Sequence, residues 1–377
     1  MIETFIKGKY SDLRNLRGWK TRRRIIVLES DDWGSIRMPD RATYNILLSK
    51  GVRVDKCPFM RIDSLESEED LSALFDVLNK FRDINGNPPV ITANCVMANP
   101  DFEKIRDSGY SGYYYELFTD TLQKYPGRSH SFDLWKEGIE KELFFPQFHG
   151  REHLNIERWM KALRANLQET RLAFDLKLFG ISKAITTENR ESYLEAYSFD
   201  TIEDFNKINS IIIDGLGLFR NTFGFTSESF IAPNYVWPAI VEENLANEGV
   251  RYIQGQRIQF SPDPKTGNVK KLPHYTGQRN RFAQIYTVRN CVFEPSLNET
   301  TDCVDECLSQ VSSAFRCRKP AIITSHRLNF IGAIEPSNRD RNLKSFGALL
   351  NKILLKWPDV EFMTTPVLGE QIDLRKF

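Results

Sequence analysis

Arg24-Ile25-Ile26-Val27-Leu28-Glu29-Ser30-Asp31-Asp32-Trp33-Gly34 runs four apolar residues, three of them β-branched, straight into three acids, an indole and a glycine. A short, continuous apolar run bounded by charge predicts a strand buried on both faces. Adjacent carboxylates at the end of such a strand are costly unless a cation or a proton neutralises one of them. Working outward, the same pattern recurs at Val90 to Ala93, Leu143 to Phe148, Phe230 to Pro233, Val250 to Ile253, Cys291 to Phe293, Ala321 to Thr324 and Val360 to Met363. Helical spacing separates many of these runs, as in Leu343, Phe346, Leu350, Ile353 and Leu354. Strand, helix, strand order implies parallel pairing.

The expected fold is therefore α/β, a single distorted (β/α) barrel of seven or eight strands with helical insertions; spacing alone fits an open sheet as well. One barrel domain spans residues 1–377, with a mainly helical insertion at about 155–228. Asn155 is placed to cap a helix that carries Ile156, Trp159, Met160, Leu163 and Leu167 on one stripe. Pro39 to Pro88 forms a second long insert. The turn-forming residues from Ser261 to Asn268 predict the tip of a hairpin.

The 377 residues are 41% hydrophobic, enough for a substantial core. Lys plus Arg number 51 against 50 acids, a net charge of +1, which offers no electrostatic basis for a nucleic-acid or membrane partner and suits a neutral carbohydrate or small amide. Lys20, Arg22, Arg23 and Arg24 read as the solvated flank of the first strand. Met1 to Lys20 lacks an apolar secretory core, and no later run is apolar enough for a membrane span, so the expected location is cytoplasmic. The six cysteines have no zinc-knuckle spacing and are expected to be reduced; Cys303 and Cys307 fit one helix face.

In a barrel, reactive side chains gather where strands end. Besides Asp31 and Asp32, Phe148-His149-Gly150-Arg151-Glu152-His153 follows a strand and places two of the chain's five histidines four residues apart. If that stretch opens a helical turn, both imidazoles point the same way and can share one metal ion. Glu152 directly precedes His153, which disfavours a metallopeptidase H-E-x-x-H helix. A third histidine, His326, ends the strand Ala321 to Thr324. Each feature alone has a bland reading as a cap or a surface pair; their coincidence at strand ends favours a metal site. His130 and His274 lie in loop-like contexts, are expected to be exposed, and receive no role.

Taken in order, these residues resemble the polysaccharide deacetylase family, of the NodB-homology, carbohydrate esterase type. Ser30-Asp31-Asp32 is similar to its first motif, His149 to His153 to its second, Phe230-Ile231-Ala232-Pro233-Asn234-Tyr235 to its Arg-x-Pro motif, and Ser325-His326 to its last. The likeness spans about Arg24 to Gln371. It implies one divalent ion, zinc first with cobalt or nickel as alternatives, on Asp32, His149 and His153, with Asp31 as general base and His326 as general acid in removing an N-acetyl group from a sugar or polysaccharide precursor. Trp33, Arg151, Asn234, Tyr235 and Arg327 are the expected substrate contacts, Trp33 as a stacking wall unless it fills core. The resemblance also departs from the family. Ile231 stands where the family has the arginine that orients its base, and the fourth-motif Asp and Trp are not found near Tyr252 to Phe260. Arg151 and Arg327 are the candidate replacements. Two other functions stay open: a C–N hydrolase of a small-molecule amide, and a catalytically degenerate glycan-binding protein.

Overall fold

The computed structural model describes Asp12 and residues 15–263, 266–298 and 302–374. The expectation drawn from Met1 to Lys20 falls largely outside these residues, as do Pro264 and Lys265 of the predicted turn. The turn does tip a hairpin, an antiparallel pair of Ile258–Pro262 and Val269–Pro273.

A nine-stranded, wholly parallel sheet organises the chain. Its strands are β1 (Arg24–Trp33), β2 (Ile91–Val96), β3 (Phe144–Gly150), β4 (Ser229–Ile231), β5 (Tyr252–Gly255), β6 (Ile285–Val288), β7 (Cys291–Val292), β8 (Ala321–His326) and β9 (Val360–Phe362). The order is β6-β5-β4-β3-β2-β1-β8-β7. β9 pairs with Arg24 to Ile26, on the edge of β1 that β2 takes over from Leu28 onward. All eight runs read as strands from the sequence fall on strands of this sheet, in an α/β fold with the form of a distorted barrel.

β6 was not read from the sequence, and it is the strand that brings the two ends of the sheet together. Ile285 to Val288 pair with Tyr252 to Gly255 of β5. The chain then crosses over: Arg289 N–H donates to Gly255 O (2.9 Å), Asn290 N–H to Ile322 O (3.2 Å) and Phe293 N–H to Thr324 O (2.9 Å). One extended segment thus extends β5 with its first half and β8 with its second. Tyr286 and Thr287 interrupt the apolar run, although both favour strands, and this hid β6 from a count of aliphatic residues.

The principal helices are α1 (Arg41–Ser49), α2 (Glu68–Leu78), α3 (Ser131–Glu140), α4 (Ile156–Arg164), α5 (Ile202–Phe223), α6 (Cys303–Arg316), α7 (Pro336–Lys356) and α8 (Thr365–Leu374). Of these, α2, α3, α5, α6 and α7 pack on the face of the sheet that carries Ile26 and Leu28, α8 on the face that carries Ile25 and Val27, and α1 and α4 in separate clusters. Asn155 caps α4 through Arg158 N–H, and Ile156, Trp159, Met160 and Leu163 are buried. Ile208, Ile212, Leu216 and Phe219 of α5 join the main core with Phe148 and Phe230. α5 is therefore the crossover helix between β3 and β4, and only residues 156–200 are additional to that unit. No helix among the described residues is long and apolar enough to cross a membrane. The six cysteines are free thiols.

Candidate metal centre

Neighbouring side chains on a regular strand point to opposite faces, yet Asp31 and Asp32 both line one cavity of about 90 Å³. A β-bulge makes this possible. Ser30 pairs with Ala93 and Trp33 with Cys95, so three steps along β1 match two along β2. Asp32 takes up the irregularity with φ 77°. β3 repeats the device: Cys95 pairs with Phe148 and Val96 with Gly150, leaving His149 as the extra residue. Gly150 follows with φ 131°, and a Cβ there would lie 3.0 Å from both Glu152 O and Tyr197 Oη. His153 is brought back by this turn and not by a helix, because helical structure begins only at Ile156. The expected helical presentation of the histidine pair is thereby corrected.

Three ligand atoms converge. Asp32 Oδ1 lies 3.5 Å from His149 Nε2 and 3.3 Å from His153 Nε2, with all three side chains buried. His149 Nδ1 donates to Ile231 O at 2.9 Å, which turns its Nε2 toward the carboxylate. Burial, partly opposed by Asp32, pushes the His153 imidazole down to about 3, which keeps it neutral at ordinary pH. The Nε2 atoms of both imidazoles therefore face a carboxylate oxygen that is buried without a hydrogen-bond partner. A shared cation satisfies that arrangement, and two imidazoles with one carboxylate are a donor set suited to zinc, cobalt or nickel. Burial works against ionisation of Asp32, but the charge of Arg37 holds its pKa well below the usual range. Arg37 Nη2 lies 3.1 Å from Asp32 Oδ2, and Arg37 Nε 3.4 Å from Asp63 Oδ2.

Asp31 is held differently. Arg289 grips it with two nitrogens, Nη1 to Oδ2 and Nη2 to Oδ1, both at 2.6 Å. Asn94 Nδ2 donates to Oδ1 at 2.8 Å. Burial favours the neutral acid, but the Arg289 charge and its hydrogen bonds outweigh it and depress the carboxyl pKa. Arg289 also donates to Glu29 (2.6 Å), Thr324 Oγ1 (2.9 Å) and Tyr235 Oη (3.0 Å). His326 stands next to Asp31 across the β1–β8 register, its Nε2 3.9 Å from Asp31 Oδ2. Its Nδ1 donates to Glu294 Oε1 at 2.6 Å, and Glu294 is fixed in turn by Asn329 Nδ2 at 2.6 Å. Burial would lower the His326 pKa, but Glu294, with help from Asp31 and Asp32, raises it to about 9.

Two charges that the sequence motifs did not mark, Arg289 just after β6 and Glu294 just after β7, sit on the segment that runs from β5 to β8. The proposed replacements do other work. Arg151 is tied to Glu152 (2.8 Å) and Asp214 (2.8 Å) and lies over the Tyr115 ring. Arg327 is 0% exposed and bound to Asp63, Glu66 and Ser35 O, so both guanidiniums are already engaged by acids of the protein itself. Trp33 is 1% exposed, packs edge-on against Trp135 and Phe144, and donates to Ser30 Oγ; it fills core and offers no stacking wall. Asn234 and Tyr235 do line the cavity. Ile231 contributes its carbonyl where an arginine was expected. His130 is exposed, whereas His274 is buried, stacked on Tyr286 at 3.8 Å and bonded to Gln259, contrary to the expectation of a surface loop.

The parallel α/β barrel thus sets a buried Asp-His-His cluster beside an arginine-held aspartate and a glutamate-held histidine. No protein-family model and no curated protein matches the chain. Among solved structures it is similar to polysaccharide deacetylases and carbohydrate esterases. The family 4 carbohydrate esterase of Streptomyces lividans aligns over 92% of this chain and 95% of its own, at 10% identity and TM-score 0.38. A peptidoglycan deacetylase of Bacillus subtilis aligns over 94% and 93%, at 10% identity and TM-score 0.35. The 4-alpha-glucanotransferase of Thermococcus litoralis aligns over 94% of this chain but 40% of its own, at 11% identity and TM-score 0.42.

Proposed function

We propose that this chain is a metal-dependent hydrolase that removes the N-acetyl group from an amino sugar. One observation carries the reading: a buried, unpartnered carboxylate oxygen of Asp32 facing the Nε2 atoms of His149 and His153. Asp32, His149 and His153 would hold the ion. A divalent ion bound there supplies a Lewis acid that acidifies water and polarises an amide carbonyl.

The remaining steps belong to the protein's own groups. Asp31, kept ionised by Arg289 and oriented by Asn94, takes a proton from the attacking water. The water oxygen forms a bond to the carbonyl carbon, and the C–N bond breaks. His326 presents its Nε2–H to the cavity because Nδ1 is committed to Glu294, and it protonates the departing amine. Its raised pKa keeps that proton in place at neutral pH. The products are a carboxylate and a free amine. Tyr235, accepting from Arg289, and Asn234 form the wall on which the sugar rests. A base and an acid each held in the required protonation state weigh against a degenerate binding module, which would need neither.

Metal content of the purified protein, measured by mass spectrometry beside a His149→Ala/His153→Ala control, is the first test. About one equivalent in the wild type, lost in the control, followed by acetate release from N-acetylated sugars, is the expected result. A metal-free protein that takes up no ion on loading would overturn the proposal. Metal without acetate release, but with turnover of small amides, would move the substrate to that class.

A further inference from the structure

We propose that the substrate carries a compact apolar group, and that a second cavity beside the reacting centre receives it; this rests on the hydrolase reading above. The second cavity has a volume of about 60 Å³. Met60, Leu178, Phe179 and Ile181 line it, and it shares Arg37, Phe59 and Leu194 with the metal-centre cavity. The two spaces are thus adjacent, divided by one guanidinium, one phenyl ring and one leucine.

The chemistry changes sharply across that divide. Arg37 turns its nitrogens toward Asp32 and Asp63, while its guanidinium carbon lies 5.4 Å from the Phe179 ring centre and 6.0 Å from that of Phe59. Phe59 in turn meets His326 edge-on at 5.4 Å. A group entering from the site therefore leaves polar atoms behind and meets aliphatic and aromatic surface. Leu178, Phe179 and Ile181 are buried side chains that nevertheless leave space between them. Ser182, Lys183 and Ser192 also line the cavity, whose surface is otherwise mainly apolar. Unfilled apolar volume lowers stability because its lining forgoes contacts, and it accepts apolar guests. An apolar cavity of ~150 Å³ holds benzene, so this smaller one suits an alkyl chain of a few carbons. Every apolar lining residue named comes from Phe59 to Met60 or Leu178 to Leu194, segments outside the strands and crossover helices. The cavity is thus a feature of the two inserts.

The alkyl group could sit on either side of the scissile amide, as an acyl chain longer than acetyl or as an apolar substituent on the sugar. Calorimetric titration of the zinc-loaded protein with two series separates these. The first is acetate, propionate, butyrate, valerate and hexanoate; the second is the methyl to hexyl glycosides of N-acetylglucosamine. Burying each methylene should tighten binding about fourfold in one series, levelling off after a few carbons. The carboxylate series points to the acyl side and the glycoside series to the sugar. Ile181→Trp, which fills the cavity, should flatten whichever series responds. Affinity that is flat or absent in both, or a gain that survives Ile181→Trp, would overturn the proposal. Binding requires no turnover, so the two readings fail separately. Length dependence in a protein that hydrolyses no amide sinks the hydrolase, whereas acetate release with flat series sinks only the cavity.

Discussion

Replacing Arg289 by glutamine tests the electrostatic core of the site. The substitution removes the guanidinium that meets Asp31 twice at 2.6 Å and Glu29 once at 2.6 Å, all of them buried. Breaking a buried pair by removing one partner costs ~3–5 kcal/mol, because the remaining charge is stranded. Here two carboxylates are stranded, and the cheapest relief is for Asp31 to take up a proton. In the wild type the folded Asp31 pKa is depressed by Arg289, so its contribution to stability is full above the unfolded value of about 3.9 and is lost as pH falls through the folded value. Urea denaturation should therefore show the variant weaker by ~3–5 kcal/mol at pH 7, with the gap narrowing below about pH 4. In the pH profile of kcat/KM the acid limb should move upward, since a protonated Asp31 cannot act as base. The loss at pH 7 should be about 10²- to 10⁴-fold and should recover in part at higher pH. Arg289→Lys keeps the charge without the two-pronged grip and should fall between. An acid limb in Arg289→Gln that coincides with that of the wild type would refute the assignment, whatever happens to stability.

Glu294→Gln acts on the opposite limb. Removing the carboxylate that raises His326 to about 9 should bring the alkaline fall of kcat/KM to lower pH. Because a raised folded pKa stabilises below the unfolded value and the benefit is lost as pH rises through the folded one, the variant should be weakened more at pH 6 than at pH 10; equal loss at both would count against it. Zinc at a hundredfold excess over its Kd should stabilise the wild type by ~2.7 kcal/mol, and His149→Ala or His153→Ala should abolish that rise in Tm. Gly150→Ala forces a side chain into φ 131° and within 3.0 Å of Glu152 O and Tyr197 Oη. It should cost ~1–3 kcal/mol and weaken metal retention more than a helix-surface substitution such as Lys161→Ala, measured by competition with a chelator.

How legible the molecule was depended on which signal each residue sends. Eight of the nine strands announce themselves as apolar runs, and the polar residues directly behind three of them, Asp31 and Asp32, His149, and His326, are those that meet in the cavity. Applied evenly, the same rule also marks Asn94 behind Val90 to Ala93, and Glu294 behind Cys291 to Phe293; both touch the reactive groups. Arg289 was hidden because its strand contains Tyr286 and Thr287, so no apolar run pointed to it. The bulges were not legible, since the extra residue in a strand is defined by the partner strand and not by local composition. Arg151 and Arg327 misled because nearness in sequence to a histidine says nothing of the acids, Glu152 and Asp214 or Asp63 and Glu66, that occupy each guanidinium.

A carboxylate can be kept ionised in a buried site by any cation that reaches it with good geometry, whichever strand supplies that cation. In this chain Ile231 cannot, and its place in β4 serves instead to fix the His149 tautomer through a backbone carbonyl. The charge arrives from Arg289, at the point where the chain leaves β5 and joins β8, and five residues later the same segment delivers Glu294 to His326. The passage of the chain from β5 to β8 and the protonation of the acid–base pair are consequently coupled in one stretch of backbone. A change that loosened Ile285 to Glu294 would release Asp31 and His326 together, moving the acid limb up and the alkaline limb down and so narrowing the pH profile from both sides. Val288→Gly, in the middle of this segment and away from both reactive groups, should narrow it in that way; a shift of only one limb would show that the two charges are held independently.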